Sequence, residues 1–317
     1  MQRFNSAPIV TVVTIALTFM LFSACFSANA APLSVKEVAH GVYVHQGVHE
    51  DFNENYHGDI ANIGFVVGTD AVAVIDTGGS YKVGMALKQA VRLVTGLPIR
   101  YVINTHVHPD HIFGNAAFDH DPVEHPIFIG HEKLPGAMAL RKDAYLRNLK
   151  NELGQAAENS EVIVPGETVN TSRKINLGGR ILTLKAWPTA HTNTDLTVFD
   201  ENTKTLWTGD LLFVERTPSI DGDIKGWLSI IAPLKSIPAD LTIPGHGPVT
   251  KNKNAAFDDE RRYLETLLRD VRNSIKKGED MTHSMASAAN NEKPHWVLFD
   301  VVNPRNVNFI YPVLEWE

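Results

Sequence analysis

Two β-sheets packed face to face, with helices on their outer sides, is the fold class that this 317-residue sequence predicts. Two observations predict it. Short apolar runs of strand length, bounded by Gly, Asp or Pro, cluster within each half of the chain. Stretches whose apolar residues keep helical spacing lie between and after those clusters. No internal repeat and no low-complexity tract interrupts this pattern, so one α+β domain accounts for the whole.

The elements follow in order. Residues 42–45, 63–67 and 72–75 read as strands ended by turn residues. Ser80 then caps a helix whose Val83, Ala86, Leu87, Ala90, Val91 and Val94 fall on one face, and Gly96 ends it. Residues 100–104 and 126–129 are further strands. Leu134, Met138, Tyr145, Leu149 and Leu153 keep helical spacing. In the second half, residues 181–184, 196–199, 205–207 and 241–243 read as strands. A long helix starts near Asn254, with Phe257, Leu264, Leu267, Leu268, Val271 and Ile275 along one side. Acids are expected in its first turn and Gly278 at its end. The segment from about 279 to 317 reads as a C-terminal helical extension on the sandwich. Trp207 and Trp227 read as packing residues.

Residues 1–30 read as a signal peptide. Arg3 supplies positive charge, an apolar stretch follows, and Ala28 and Ala30 stand where a signal peptidase cuts. The stretch is also nearly long enough for an uncleaved anchor, and Ser23-Ala24-Cys25 leaves a lipoprotein open. Cleavage after Ala30 would put the protein in the periplasm or outside the cell and remove its single cysteine. One cysteine excludes an intrachain disulfide framework and a Cys-rich metal site. A net charge of −7 without a long Lys/Arg block argues against nucleic acid as a partner. Histidine is the unusual count, 14 against seven tyrosines.

The segment Asn104-Thr105-His106-Val107-His108-Pro109-Asp110-His111 explains part of that excess. It follows an apolar strand, and on extended backbone His106 and His108 would project from the same face. Pro109 breaks the strand, so Asp110 and His111 open a new segment that can turn back toward a second metal. Three imidazoles and a carboxylate in six residues suit zinc. Further ligand candidates stand beside turn residues, with Asp210 and His246 expected directly after strands: His191 in Thr189-Ala190-His191-Thr192, Asp210 in Thr208-Gly209-Asp210, and His246 in Pro244-Gly245-His246-Gly247-Pro248.

That order of motifs resembles the metallo-β-lactamase superfamily, and Val74-Ile75-Asp76-Thr77-Gly78-Gly79 resembles its Asp-containing turn near the site. The resemblance implies an αββα four-layer sandwich and two Zn2+ per chain. It implies that His106, His108 and His191 bind one zinc, that Asp110, His111 and His246 bind the other, and that Asp210 bridges them. A zinc pair sharing a water lowers its pKa toward neutrality, making a hydrolytic nucleophile that Asp110 can orient. His108 stands where related di-iron reductases carry Glu. Asp210 is an acid where secreted β-lactamases of this fold usually have none. No glutathione-binding basic set is evident.

A narrower resemblance rests on residues 190–199, Gly209-Asp210-Leu211-Leu212-Phe213, residues 216–222, Gly226-Trp227, and the tail with Asn303, Arg305, Asn306, Tyr311 and Glu315. These resemble the exported zinc metallohydrolases of the quinoprotein relay system, relatives of a sulfur-oxidation-cluster hydrolase. The resemblance implies an exported di-zinc hydrolase acting on an ester, thioester, lactone or amide beside a periplasmic quinoprotein dehydrogenase. A secreted metallo-β-lactamase and a non-catalytic metal-binding accessory of the dehydrogenase are the alternatives. Arg216 and Asp221 either pair across their loop or contact substrate. His57 either overhangs the site or sits exposed in a loop.

Overall fold

The apolar runs pair into two sheets, in a computed structural model that describes residues 31–51 and 56–317. The segment read as a signal peptide lies outside the described residues. The first sheet takes β1 (Lys36–Ala39), β2 (Val42–His45), β3 (Ile63–Val67), β4 (Val72–Ile75), β5 (Ile99–Ile103), β6 (Ile127–His131) and β7 (Glu167–Val169), side by side in chain order. Its first four strands run antiparallel, and β4 to β7 run parallel. The second sheet takes β8 (Ser172–Asn176), β9 (Ile181–Ala186), β10 (Leu196–Asp200), β11 (Thr205–Phe213) and β12 (Leu241–His246), antiparallel except for the β11–β12 pair.

Strand pleat explains the layering, because alternate side chains leave opposite faces. Val42, Val44, Val66, Ala73, Ile75, Ile103 and Ile129 face Leu182, Leu184, Leu196, Val198, Trp207 and Ile243 between the sheets. The other face of the first sheet presents Phe65, Val72, Val74 and Val102 to α1 (Tyr81–Val94). Ser80 caps α1 by accepting from Val83 N, as its sequence position predicts. Two one-turn helices follow β5: α2 (Pro109–Ile112) and α3 (Ala116–Asp119). Helix α4 (Leu134–Leu153) closes a smaller cluster with Val107, Ile112 and Phe113.

The second sheet is covered by α5 (Ile224–Lys235) and α6 (Lys253–Lys276), then by α7 (Met281–Ser287) and α8 (Phe299–Leu314). Helices, sheet, sheet and helices give the αββα sandwich. Trp207 and Trp227 are both buried core residues. The structure departs from the sequence reading in three places. Helix α6 starts at Lys253, so Asp258, Asp259 and Glu260 lie beyond its first turn. The loop that carries Arg216 and Asp221 ends at Asp223, whose carboxylate caps α5, a helix absent from the sequence reading, by accepting from Lys225 N. Strands β1, β7 and β8 were not anticipated; β1 and β8 are mostly half-buried or exposed, and β7 is only three residues long, so they lack an apolar run. Among the described residues, no helix is long and apolar enough to cross a membrane.

Candidate metal centre

The seven sequence-predicted residues come together at one end of the two sheets. His106 and His108 do not lie on the strand as expected. Strand β5 ends at Ile103, and a bend carries both rings to one place, with His106 Nε2 3.1 Å from His108 Nδ1. Pro109 starts α2 with a preset φ, so Asp110 and His111 turn inward within one helical turn. His191 joins from the loop after β9, its Nε2 2.9 Å from His108 Nδ1. Asp210 lies inside β11, because the strand continues to Phe213. Gly209 makes this local geometry with φ of 51°, and a Cβ there would stand 2.6 Å from Thr105. His246 is the last residue of β12.

Two ligand groups result: His106, His108, His191 and Asp210, and Asp110, His111 and His246. The Asp210 carboxylate joins them. It lies 3.7 Å from His106 Nε2 and 3.3 Å from His191 Nε2 on one side, and 3.2 Å from His111 Nε2 and 3.4 Å from His246 Nε2 on the other. Asp110 Oδ2 lies 3.3 Å from His246 Nε2.

Hydrogen bonding behind the rings shows that a cation fits here. His191 Nδ1 donates to the Ser219 carbonyl at 2.6 Å, and His246 Nδ1 donates to the Ile60 carbonyl at 2.7 Å. His108 Nε2 donates to Asp221 at 3.0 Å, and His111 Nδ1 donates to Asp76 at 2.8 Å. Thr105 Oγ1 gives its proton to Asp76, so it accepts from His106 Nδ1 at 3.0 Å. Each imidazole thus holds its proton on the outer nitrogen and turns a lone pair inward. The His108 lone pair lies about 3 Å from each of the other two, and such lone pairs repel one another unless a cation sits among them. Zinc bound at about 2.0–2.1 Å in tetrahedral geometry spaces its nitrogens about 3.3 Å apart, close to what is seen. His111 Nε2 and Asp210 Oδ1 are buried with no hydrogen-bond partner, as atoms reserved for a metal would be.

The electrostatics differ between the two ligand groups. Burial pushes His191 down to about 3 and His106 well below its ordinary value, so both stay neutral and able to ligate. Burial also opposes the charge on His111 and His246, but the facing Asp210 and Asp110 carboxylates raise both. Burial would raise Asp110 and Asp210, yet the surrounding imidazoles hold both carboxyls below the usual range.

A cavity of about 350 Å3 opens over these residues, with apolar walls from Ile60, Phe113, Leu149, Phe213 and Val302. Arg216 and Asp221 both line it and do not pair with each other. Asp221 takes His108 and Arg141, and Arg216 donates to the Glu50 carbonyl. His57 is exposed between β2 and β3. Sequence reasoning missed Arg141, Tyr145 and the Ser219 carbonyl, because a charged position on a helix and a main-chain acceptor carry no motif. Asn306 had been noted only as part of the tail. It reaches from α8 to bind the main chain at Pro218 and Ile220, fixing the loop that supplies Ser219 and Asp221.

Comparison with known proteins places this geometry. A relative from Caenorhabditis elegans, "Beta-lactamase-like protein 2 homolog", is 22% identical over 220 residues, 69% of this chain and 66% of that protein. The sec-alkylsulfatase Pisa1 from Pseudomonas sp. superposes with a TM-score of 0.67 at 16% identity, over 89% of this chain and 50% of its own. The chain therefore spans about two thirds of the first of these and half of the second. A metallo-beta-lactamase from Pontibacter korlensis gives a TM-score of 0.56 at 21% identity, over 74% of this chain and 99% of its own. The metallo-beta-lactamase FIM-1 from Pseudomonas aeruginosa, solved in a mono-zinc form, gives 0.56 at 18% identity, over 75% and 96%. These likenesses show a shared fold. Residues 57–246, more than half of the chain and all seven ligand candidates, match the family described as the Metallo-beta-lactamase superfamily, and the protein belongs to it.

Proposed function

We propose that this protein is a di-zinc hydrolase of the quinoprotein relay type, exported by its N-terminal signal peptide and acting on a small ester, thioester, lactone or amide. One observation carries the hydrolase reading. Five imidazoles with fixed tautomers and two carboxylates converge beneath a cavity sized for a small molecule. The relay assignment and the periplasmic location rest on the sequence resemblance across residues 190–227 and the tail. A periplasmic quinoprotein dehydrogenase is the partner that this resemblance implies.

His106, His108 and His191 would hold one zinc, Asp110, His111 and His246 the other, with Asp210 between them. Bound zinc supplies Lewis acidity and lowers the pKa of water. The chain's own residues do the rest. Asp110 accepts a hydrogen bond from the attacking water and orients it. Asp76 and Asp221 hold His111 and His108 in their ligating tautomers. Ile60, Phe113, Leu149, Phe213 and Val302 give the cavity apolar surface on which a substrate's carbon skeleton would rest.

The test uses purified protein with counted zinc, screened against thioesters, lactones, phosphodiesters and β-lactams. Hydrolysis that is lost on chelation and in Asp110→Ala is expected. Asp210→Asn removes the charge between the two groups and should lower both zinc content and rate. Unchanged zinc and rate in that variant would remove Asp210 from the centre. Rapid cleavage confined to β-lactams would replace the substrate class. A zinc-replete protein that binds the dehydrogenase but hydrolyses nothing would be an accessory, not an enzyme.

A further inference from the structure

Glu260 is fully buried on α6, against the end of β11, and belongs to neither ligand group. Its Oε1 accepts from Phe213 N at 2.9 Å, and its Oε2 is buried with no hydrogen-bond partner. Burial, with the Asp210 charge adding to it, pushes this carboxyl well above its usual range, and the bond from Phe213 offsets only part of that. An apolar side chain would fill the same space without the cost of burying a carboxyl. What an apolar side chain lacks is an acceptor.

The end of β11 needs one. Gly209 pairs with Pro244 and Phe213 with His246, so four steps along β11 face two along β12. Such an excess takes main-chain groups out of the ladder and kinks the strand. Asp210 lies within the excess, and Phe213 ends it. Val214 N returns to β12 by donating to the His246 carbonyl at 3.0 Å. The Phe213 N–H finds its acceptor on α6 instead. The ring at that position meets both ligand groups. Phe213 stacks on His246 with centroids 5.1 Å apart, and it meets His191 at 5.7 Å. One main-chain bond thus fixes a ring that buttresses an imidazole of each group, three residues after the carboxylate that joins them.

We propose that Glu260 is a positioning residue for the metal centre: it supplies the acceptor that the kinked end of β11 needs, and so holds Asp210, His191 and His246 in ligating register. It acts through Phe213. The inference goes beyond the hydrolase reading and rests only on the two ligand groups. It makes the packing of α6 on β11 a determinant of metal affinity.

Two measurements test it, one independent of zinc. Competition with a chromophoric chelator compares zinc affinity in wild type, Glu260→Gln, Glu260→Met and Val271→Ala. Gln keeps an acceptor at the same reach, Met keeps the length without the acceptor, and Val271→Ala opens the same core elsewhere on α6. Glu260→Met should lose about ten- to hundredfold in zinc affinity, and Gln should stay within about threefold of wild type. Val271→Ala should lose stability but keep wild-type zinc affinity. Second, exchange of the Phe213 amide hydrogen is followed by NMR in the metal-free proteins. Its protection should fall about tenfold or more in Glu260→Met and be kept in Gln. Unchanged protection in Glu260→Met would overturn the inference whatever the zinc content. Lost protection with wild-type zinc affinity would overturn it too, because the bond would then serve stability alone. So would equal zinc losses in Met and Gln, or in Met and Val271→Ala. If Glu260→Met fails to melt cooperatively, Glu260→Asp decides: its carboxyl is one methylene short of the Phe213 amide and should lose protection and affinity, and wild-type values of both would overturn the inference. A wild type that binds no zinc would count against the two-zinc reading itself, and the exchange measurement would then decide Glu260 alone.

Discussion

Asn306→Ala should damage the metal centre from a helix that touches no ligand. Asn306 is 1% exposed on α8. Its Oδ1 accepts from Ile220 N at 2.9 Å, and its Nδ2 donates to the Pro218 carbonyl at 2.7 Å and to the Tyr263 hydroxyl at 2.8 Å. Truncation strands the Ile220 N–H and the Pro218 carbonyl. Tyr263 loses least, because its hydroxyl still donates to Asn303. Two buried main-chain groups without partners cost about 1–3 kcal/mol each, so a loss of about 2–6 kcal/mol is expected. The same loop gives the Ser219 carbonyl to His191 and the Asp221 carboxylate to His108. Loosening it should weaken zinc at the His106, His108 and His191 group by about ten- to hundredfold. Denaturant unfolding of the metal-free protein measures the first effect, and competition with a chromophoric chelator measures the second. An unfolding free energy within about 0.5 kcal/mol of wild type would refute the clamp. Lost stability with wild-type zinc affinity would refute the coupling between α8 and the ligands.

Gly245→Ala should lower zinc content sharply, because its Cβ would stand 1.9 Å from Asp210 Oδ1; elemental analysis that finds wild-type zinc would contradict this. His45 lies outside the metal centre, where burial lowers its pKa but Asp59, 2.5 Å away, raises it further. Its stabilisation is complete below about pH 6.5 and is lost as pH rises through the folded value, so the urea midpoint should fall less between pH 6 and 9 in His45→Gln than in wild type. Parallel slopes for the two proteins would remove His45 as a contributor.

Legibility in the sequence followed the spacing of apolar residues. Strands β2, β3 and β4 were bounded to the residue, because each is a short apolar run between Gly or Asp turns. Helix α4 was bounded as well, between Leu134 and Leu153, although only Leu134, Met138 and Leu149 are buried there. Edge strands β1 and β8 were not legible, since solvent on one side removes the apolar signal. Helix α5 was missed, although Asp223 caps its start and Trp227, Ile230, Ile231 and Leu234 form its buried face. The ligand candidates were legible because each sits beside a Gly, Thr or Pro turn. Their supports were not. Asp221 was offered only Arg216 or substrate as a partner from sequence, since His108 lies 113 residues away. The bend after β5 was also invisible, although its consequence, two converging imidazoles, was expected on the wrong geometric ground.

The separate motifs prove to be parts of one packing arrangement. Gly209 must lack a Cβ because Thr105, the neighbour of His106, occupies that space. Thr105 in turn binds Asp76 through its amide at 2.8 Å and its hydroxyl at 2.7 Å, and Asp76 holds His111. Gly245 must lack a Cβ because the Asp210 carboxylate lies where it would be. Phe213, on the same strand as Asp210, stacks on His246 at 5.1 Å and packs on Trp227. A substitution at one motif therefore displaces the ligand of another, and the effects of such changes should be strongly non-additive. The small residues flanking each ligand are thus more than turn formers. They are the positions through which β4, β5, β11 and β12 approach closely enough for five imidazoles and two carboxylates to share a single site.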